Sequence, residues 1–346
     1  MENIRVAVLG GGSFGTVIAN IIAENGYPVF FWMRSKDMAH QVNEARENSQ
    51  YLPGYHLHKN VVATNDMRTA VTNAEVIFVA VPSHSFRAVV RLMRHFAPSK
   101  AMLISTTKGI ERGSFMLMSQ ILRQEAPSAK VGVLSGPNLA KEIARRDLTG
   151  TVIASEHESV RQAIKQILAS EYFRVFSNDD FYGVELGGSL KNIYAIVAGL
   201  AAALGMGHNT NSMLITRSLT EMARFGRELG ADPMTFLGLA GVGDLIVTCS
   251  TPLSRNYRIG FNLGNGMTLD EAIKSVGQEA EGLNTLKLVK QKADELDVFM
   301  PLVSALYRVI YEGESVDRIV PSLVQSEQIL DVEFAAKDEK QLHHKG

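Results

Sequence analysis

One cysteine, Cys249, stands in the 346 residues, so no internal disulfide can form, which fits a reducing compartment. An excess of either charge is missing as well. The 35 Lys and Arg are balanced by 36 Asp and Glu, a net charge of −1, which gives no electrostatic footing for nucleic acid or an anionic membrane as partner. The nine histidines show no ligand spacing; His56 and His58 stand alone and His343-His344 fall in a polar end, so no metal is expected. Long hydrophobic runs are also absent. The longest, residues 193–204, is about 12 residues, against the ~20 that span a bilayer. Residues 1–5 carry no apolar signal core before a strand-like run begins. The expectation is a cytoplasmic protein with no stable membrane insertion.

What is present is the composition of a globular protein, 46% hydrophobic and 21% charged, and too long for one ordinary core. Two domains are expected. Residues 4–9 form a β-branched, buried type of strand that enters Gly10-Gly11-Gly12-Ser13-Phe14-Gly15 and then a helical stretch, 16–23. A glycine-rich turn alone is weak, but with strand before and helix after it reads as a dinucleotide cradle. Gly10 allows the tight turn, Gly12 the approach of a pyrophosphate, and Gly15 the contact of helix with strand. The anion is expected on the free N–H groups at the helix start.

The next strand, 28–33, ends at Arg34, where an NAD-selective site would place Asp or Glu for the ribose hydroxyls. Arg34, with Ser35 and Lys36 beside it, favours a 2′-phosphate and hence NADP without excluding NAD; the alternative is a solvated charged turn. Strand patterns at 61–64, 76–81, 102–105, 131–134, 151–154 and 173–176 alternate with helical ones, among them a short helix opened by Asp66. That alternation predicts a parallel sheet wound on both faces, with ligands beyond the strand carboxyl ends. Loops 81–84 and 105–109 lie there. Lys108, directly after a strand, is placed to meet an anionic substrate or the nicotinamide end of a cofactor, or is simply a surface lysine. Ser135-Gly136-Pro137-Asn138 is a further strand-to-helix turn with free backbone donors.

After Ser177-Asn178-Asp179-Asp180 the patterns are helical only, at about 212–229, 233–239, 255–263, 269–275, 285–296, 302–311 and near Ser315, with no fixed-period repeat. They follow a proline-free stretch from Gly183 to Leu204. Leu186, Leu190, Ile193, Val197, Leu200 and Leu204 mark one side of that helix, and Gly187, Gly188, Ala195, Ala198, Gly199 and Ala202 the opposite one, around Lys191 and Asn192. Mid-helix glycine costs roughly 0.5–1 kcal/mol against alanine, so the small side lets something approach closely. Either another helix packs there with Lys191 reaching solvent, or Lys191 faces a cleft, partly desolvated towards an acid/base range. Asp244, behind the Gly241–Gly243 pair in apolar surroundings, needs a partner, and Lys191 is a candidate. Ser254-Arg255-Asn256 after Pro252 brings a guanidinium, an amide and free N–H groups to a helix start, which suits a phosphate or is a plain helix cap.

These motifs, in this order and over nearly the whole length, resemble the bacterial NAD(P)-dependent glycerol-3-phosphate dehydrogenases. The match lies in Gly10–Thr16, Val81-Pro82-Ser83-His84, Thr107-Lys108-Gly109, Ser135-Gly136-Pro137, Glu185–Asn192, Gly243-Asp244-Leu245 and Ser254-Arg255-Asn256. In keeping with the strand and helix patterns above, from which the boundary at Ser177–Asp180 and the polar end are read, the resemblance implies an α/β plus all-α chain: a Rossmann-type doubly wound domain over 1–179, an all-helical domain over 180–325, and a polar tail over 326–346. It implies reversible reduction of dihydroxyacetone phosphate to sn-glycerol 3-phosphate for phospholipid synthesis, with NADP or NAD as cofactor, and a homodimer. Lys191 would be the proton acceptor and Asp244 its orienting partner. Ser13, Phe14, Arg34, Lys108, Ala140 and Arg255 would contact the cofactor, with Glu279 and Glu281 of the Gly277–Gly282 segment. Lys108, Gly136, Asn138, Lys191, Asp244, Ser254, Arg255 and Asn256 would hold the substrate. Two positions depart from the family pattern. Asn138 replaces a more usual Ser or Thr, and Glu279 a usually apolar residue.

Overall fold

The computed structural model describes residues 4–277 and 281–316. Its first half is a sheet with helices on both faces: β1 (Val6–Leu9), α1 (Ser13–Glu24), β2 (Val29–Trp32), α2 (Lys36–Ala45), β3 (Val61–Thr64), α3 (Met67–Val71), β4 (Val76–Val79), α4 (Ser83–Met93), β5 (Met102–Ser105), α5 (Met118–Glu125), β6 (Lys130–Ser135), α6 (Ala140–Ala144), β7 (Thr149–Ala154), α7 (Glu158–Leu168) and β8 (Phe173–Asn178). The strand order is β3-β2-β1-β4-β5-β6-β7-β8. The central strands β1 and β4 are buried at every position, as short β-branched runs covered on both faces must be. The order reverses between β1 and β4, opening a crevice at their carboxyl ends.

The sheet departs from the expected all-parallel arrangement at one pair: β7 runs antiparallel to β6, while β8 pairs parallel to β7. The 13 residues between β6 and β7 carry only the five-residue α6. No helix was expected over 36–45 or 118–125, where α2 and α5 form. Ser35 caps α2, its Oγ accepting the Met38 N–H at 3.2 Å, so the charged turn after Arg34 is a helix start.

From Phe181 onward the described elements are helical: α8 (Phe181–Ala203), α9 (His208–Glu228), a 3₁₀ turn (Pro233–Leu237), a π turn (Leu239–Gly243), α10 (Asp244–Cys249), α11 (Arg255–Gly264), α12 (Leu269–Val276), α13 (Glu281–Glu295) and α14 (Pro301–Tyr311). Asp180 caps α8, accepting the Gly183 N–H at 2.8 Å. The tail and Glu279 lie outside the described residues.

Helix α8 carries the second half. Its residues from Gly183 to Ala201 are buried on every side, not along one stripe. Leu186, Leu190, Ile193, Val197 and Leu200 join the core that α9, α13 and α14 close. The small residues are covered by protein as well, so what approaches them closely is protein. A Cβ on Gly199 would lie 2.0 Å from the Tyr257 carbonyl, and one on Gly260 would lie 1.9 Å from that of Ile196, so α8 and α11 cross backbone to backbone. Although α8 is long and apolar enough to cross a membrane, 89% of its apolar window is buried inside the protein.

Candidate active site

The glycine loop after β1 fits a dinucleotide phosphate. Gly10 has φ +125°, and a Cβ there would sit 2.3 Å from the Ala80 carbonyl; a Cβ on Gly15 would sit 2.1 Å from the Gly10 carbonyl. These two positions are closed by backbone. Gly12, which caps α1, faces open space, with nothing within 4 Å of where its Cβ would be. An anion can reach the free N–H groups of α1 at that point. Asn48 braces the loop, donating to the Gly11 carbonyl at 2.9 Å and to Thr16 Oγ1 at 2.8 Å, and Ser13 Oγ donates to the Tyr51 carbonyl. Phe14 and Ala140 are partly buried against the sheet core. Arg34 is exposed at the end of β2, on the same edge of the sheet.

Across the crevice, Asp244 is fully buried and receives two cations. Lys191 Nζ donates to its Oδ1 and, at 2.7 Å, to Thr248 Oγ1. Lys108 Nζ donates to its Oδ2 at 2.6 Å and to the Gly136 carbonyl at 2.8 Å. Thr248 in turn donates to the Asp244 carbonyl at 2.6 Å, one helical turn back. Asp244 thus opens α10 rather than sitting on a flexible glycine pair. Gly187 allows this: a Cβ there would lie 2.8 Å from the Ala240 carbonyl of the preceding π turn. Burial pushes the Lys191 amine down to about 8, with Asp244 opposing that shift and Lys108 adding to it. Lys191 is 7% exposed, so the amine does not reach bulk solvent. Nearby, burial raises the Cys249 thiol to about 12, which keeps it protonated.

Two polar atoms beside this cluster are buried without partners, Ser135 Oγ and Asn138 Oδ1. Asn138 uses its amide to reach Thr151 Oγ1 at 2.9 Å, leaving the carbonyl oxygen available. On the far wall Ser254 caps α11, accepting the Tyr257 N–H at 3.3 Å, while Arg255 is exposed. Asn256 is buried and donates to Asn192 Oδ1 at 3.0 Å; its own oxygen accepts the Gly282 N–H at 3.2 Å. Glu281 bridges the halves, accepting from the Ser83 N–H at 3.0 Å and the Ser83 hydroxyl at 2.6 Å at the start of α4. Asn48, Asn192 and Thr248 carried no assigned role in the sequence. Only Thr248 had a readable signal, being four residues beyond Asp244 and so on its helical face.

Residues 5–161 match the family described as NAD-dependent glycerol-3-phosphate dehydrogenase N-terminus, and residues 180–321 its C-terminus. This chain belongs to the NAD-dependent glycerol-3-phosphate dehydrogenase family. Among its relatives, glycerol-3-phosphate dehydrogenase [NAD(P)+] of Teredinibacter turnerae is 56% identical over 96% of this chain and 98% of its own. The crystal structure of glycerol-3-phosphate dehydrogenase from Coxiella burnetii superposes with a TM-score of 0.89 at 35% identity, over 93% of this chain and 99% of that one. A ketopantoate reductase from Ralstonia eutropha shares the fold alone, at 16% identity and a TM-score of 0.57 over 93% of this chain and all of its own.

Proposed function

We propose that the chain reduces dihydroxyacetone phosphate reversibly to sn-glycerol 3-phosphate with NADPH or NADH. The observation that carries the reading is the buried Asp244 gripping Lys191 and Lys108 at the carboxyl edge of the sheet, opposite the open Gly12 cradle. Gly10, Gly12, Ser13, Phe14 and Gly15 would hold the dinucleotide with Arg34, Lys108, Ala140, Arg255 and Glu281, Arg34 meeting a 2′-phosphate. When bound, the dinucleotide gives or takes the hydride at C2 of the substrate. Lys191, charged, donates a proton to the C2 oxygen in the reductive direction and, neutral, accepts it in the oxidative one. Asp244 and Thr248 hold the amine in place. Lys108, Gly136 and Asn138 line the substrate, and Ser254, Arg255 and Asn256 take its phosphate on the α11 N-terminus.

The reading includes a dinucleotide-binding domain over 1–179 and a substrate domain over 180–325. It also includes a cytoplasmic homodimer that supplies the phospholipid backbone. Steady-state reduction of dihydroxyacetone phosphate with NADPH tests it. Lys191→Ala is expected to lower kcat by about 10²–10⁴-fold while NADPH still binds. Full activity of that variant would remove Lys191 as the acid/base. Lack of turnover by the wild type, or equal use of ketones without phosphate, would remove the substrate assignment.

A further inference from the structure

Glu185 lies on α8 six residues before Lys191 and has no part in the steps above. It is 2% exposed. Its Oε1 accepts the Ser119 N–H at 3.0 Å, and its Oε2 accepts the Ser119 hydroxyl. Ser119 is the second residue of α5, so its N–H is one of the helix-start donors without a partner in its own helix. The carboxylate of one half thus holds a helix start of the other half at a fixed point.

Burying a carboxylate is expensive, and an apolar side chain of similar size would serve packing at lower cost. What the pair does supply is direction. Six residues separate Glu185 and Lys191 by about 9 Å along the helix and roughly 120° around it. One face of α8 therefore grips α5 while another presents the lysine to Asp244. Between them, a Cβ on Gly188 would lie 2.5 Å from Ser135 Oγ, and Ser189 Oγ reaches the Gly109 carbonyl at 3.4 Å. These intervening contacts are a close approach and a long hydrogen bond. The two-point grip of Glu185 on Ser119 is the directional one. A rotation of α8 by about 20° would carry an extended lysine amine, roughly 8 Å off the axis, by about 3 Å, enough to break its hydrogen bonds.

We propose that Glu185, acting through Ser119, is a positioning residue that sets the rotation of α8 against the sheet half and so aims the Lys191 amine. The proposal rests on Lys191 being the acid/base. The test compares Glu185→Ala, Glu185→Gln and Ser119→Ala with wild type, with Lys191→Ala alongside. The readouts are NADPH affinity by fluorescence, kcat and KM for dihydroxyacetone phosphate, and the pH profile of kcat.

Glu185→Ala is expected to lower kcat at least tenfold, to leave NADPH affinity within twofold, and to shift the alkaline limb of the profile by more than half a pH unit. Glu185→Gln keeps an acceptor for the Ser119 N–H and is expected to hold kcat within threefold of wild type. Ser119→Ala should lower kcat severalfold. A wild-type kcat and pH profile in Glu185→Ala would overturn the proposal. So would a kcat loss that glutamine does not restore and that matches a loss of NADPH affinity. If Glu185→Ala does not fold, Ser119→Ala decides, and an unchanged kcat and profile there overturns it. An active Lys191→Ala would instead refute the acid/base assignment, whatever the Glu185 variants do.

Discussion

Burying a charge in this protein is handled by two devices, and burial moves the pKa values of the two groups in opposite directions. Lys191 has a cationic neighbour, an anionic one and little solvent, and burial brings it down to about 8. Oxidation of glycerol 3-phosphate, which needs the neutral amine, should rise as pH passes about 8, and reduction should fall through the same range. Asp244 holds the amine's proton on, so Asp244→Asn is expected to move the reductive limb to lower pH and to lower kcat; a pH–rate series checks both. Glu221 uses the other device. Fully buried, it accepts the Leu302 N–H at 2.6 Å and the Val303 N–H at 3.3 Å at the start of α14, and burial raises its carboxyl to about 8. Because its folded pKa lies above the unfolded one, its stabilising contribution is full below about pH 4.5 and is lost as pH rises through about 8. Glu221→Gln should therefore lose less Tm than wild type between pH 6 and 9. Glu221→Ala, which orphans two buried N–H groups, should cost about 2–4 kcal/mol in denaturant unfolding.

The long helix α8 is the element on which both halves converge. Its small residues answer to α11 and the π turn, where backbone meets backbone, and to the side chains of Ser135 and Lys108. Gly260→Ala would drive a Cβ into the Ile196 carbonyl, so it should cost about 1–3 kcal/mol and lower kcat, because α11 carries the proposed phosphate anchor. Urea unfolding and KM for dihydroxyacetone phosphate measure the two effects. The sequence offered two readings of the small stripe, close helix packing with Lys191 reaching solvent, or a lysine facing a cleft; the structure keeps the packing of the first but not its solvent-exposed lysine. The glycines answer to packing, and Lys191 points into the Asp244 cluster. The period of the sequence told which residues shared a face, but not which neighbour covered it, since that depends on partners distant in the chain.

At the scale of the molecule, the crevice between sheet and helices should couple ligand binding to stability. NADPH at a hundred times its Kd should add about 2.7 kcal/mol. Arg34→Asp should reduce the Tm gain from NADPH while leaving that from NADH in place, if the residue meets the 2′-phosphate as proposed. Thermal scans with each dinucleotide decide it. The sequence by itself determined the strands, most of the helices, the glycine turn and the α11 start, because hydrophobic period and turn chemistry are local properties. Only the tertiary structure decided the antiparallel return of β7. It also decided the union of Lys108 with Lys191 on one carboxylate, the bracing by Asn48, and the serine grips of Glu185 and Glu281. Each of those joins groups far apart in the chain, and a buried charge or an unpaired N–H finds its partner only when the packed halves leave it no water.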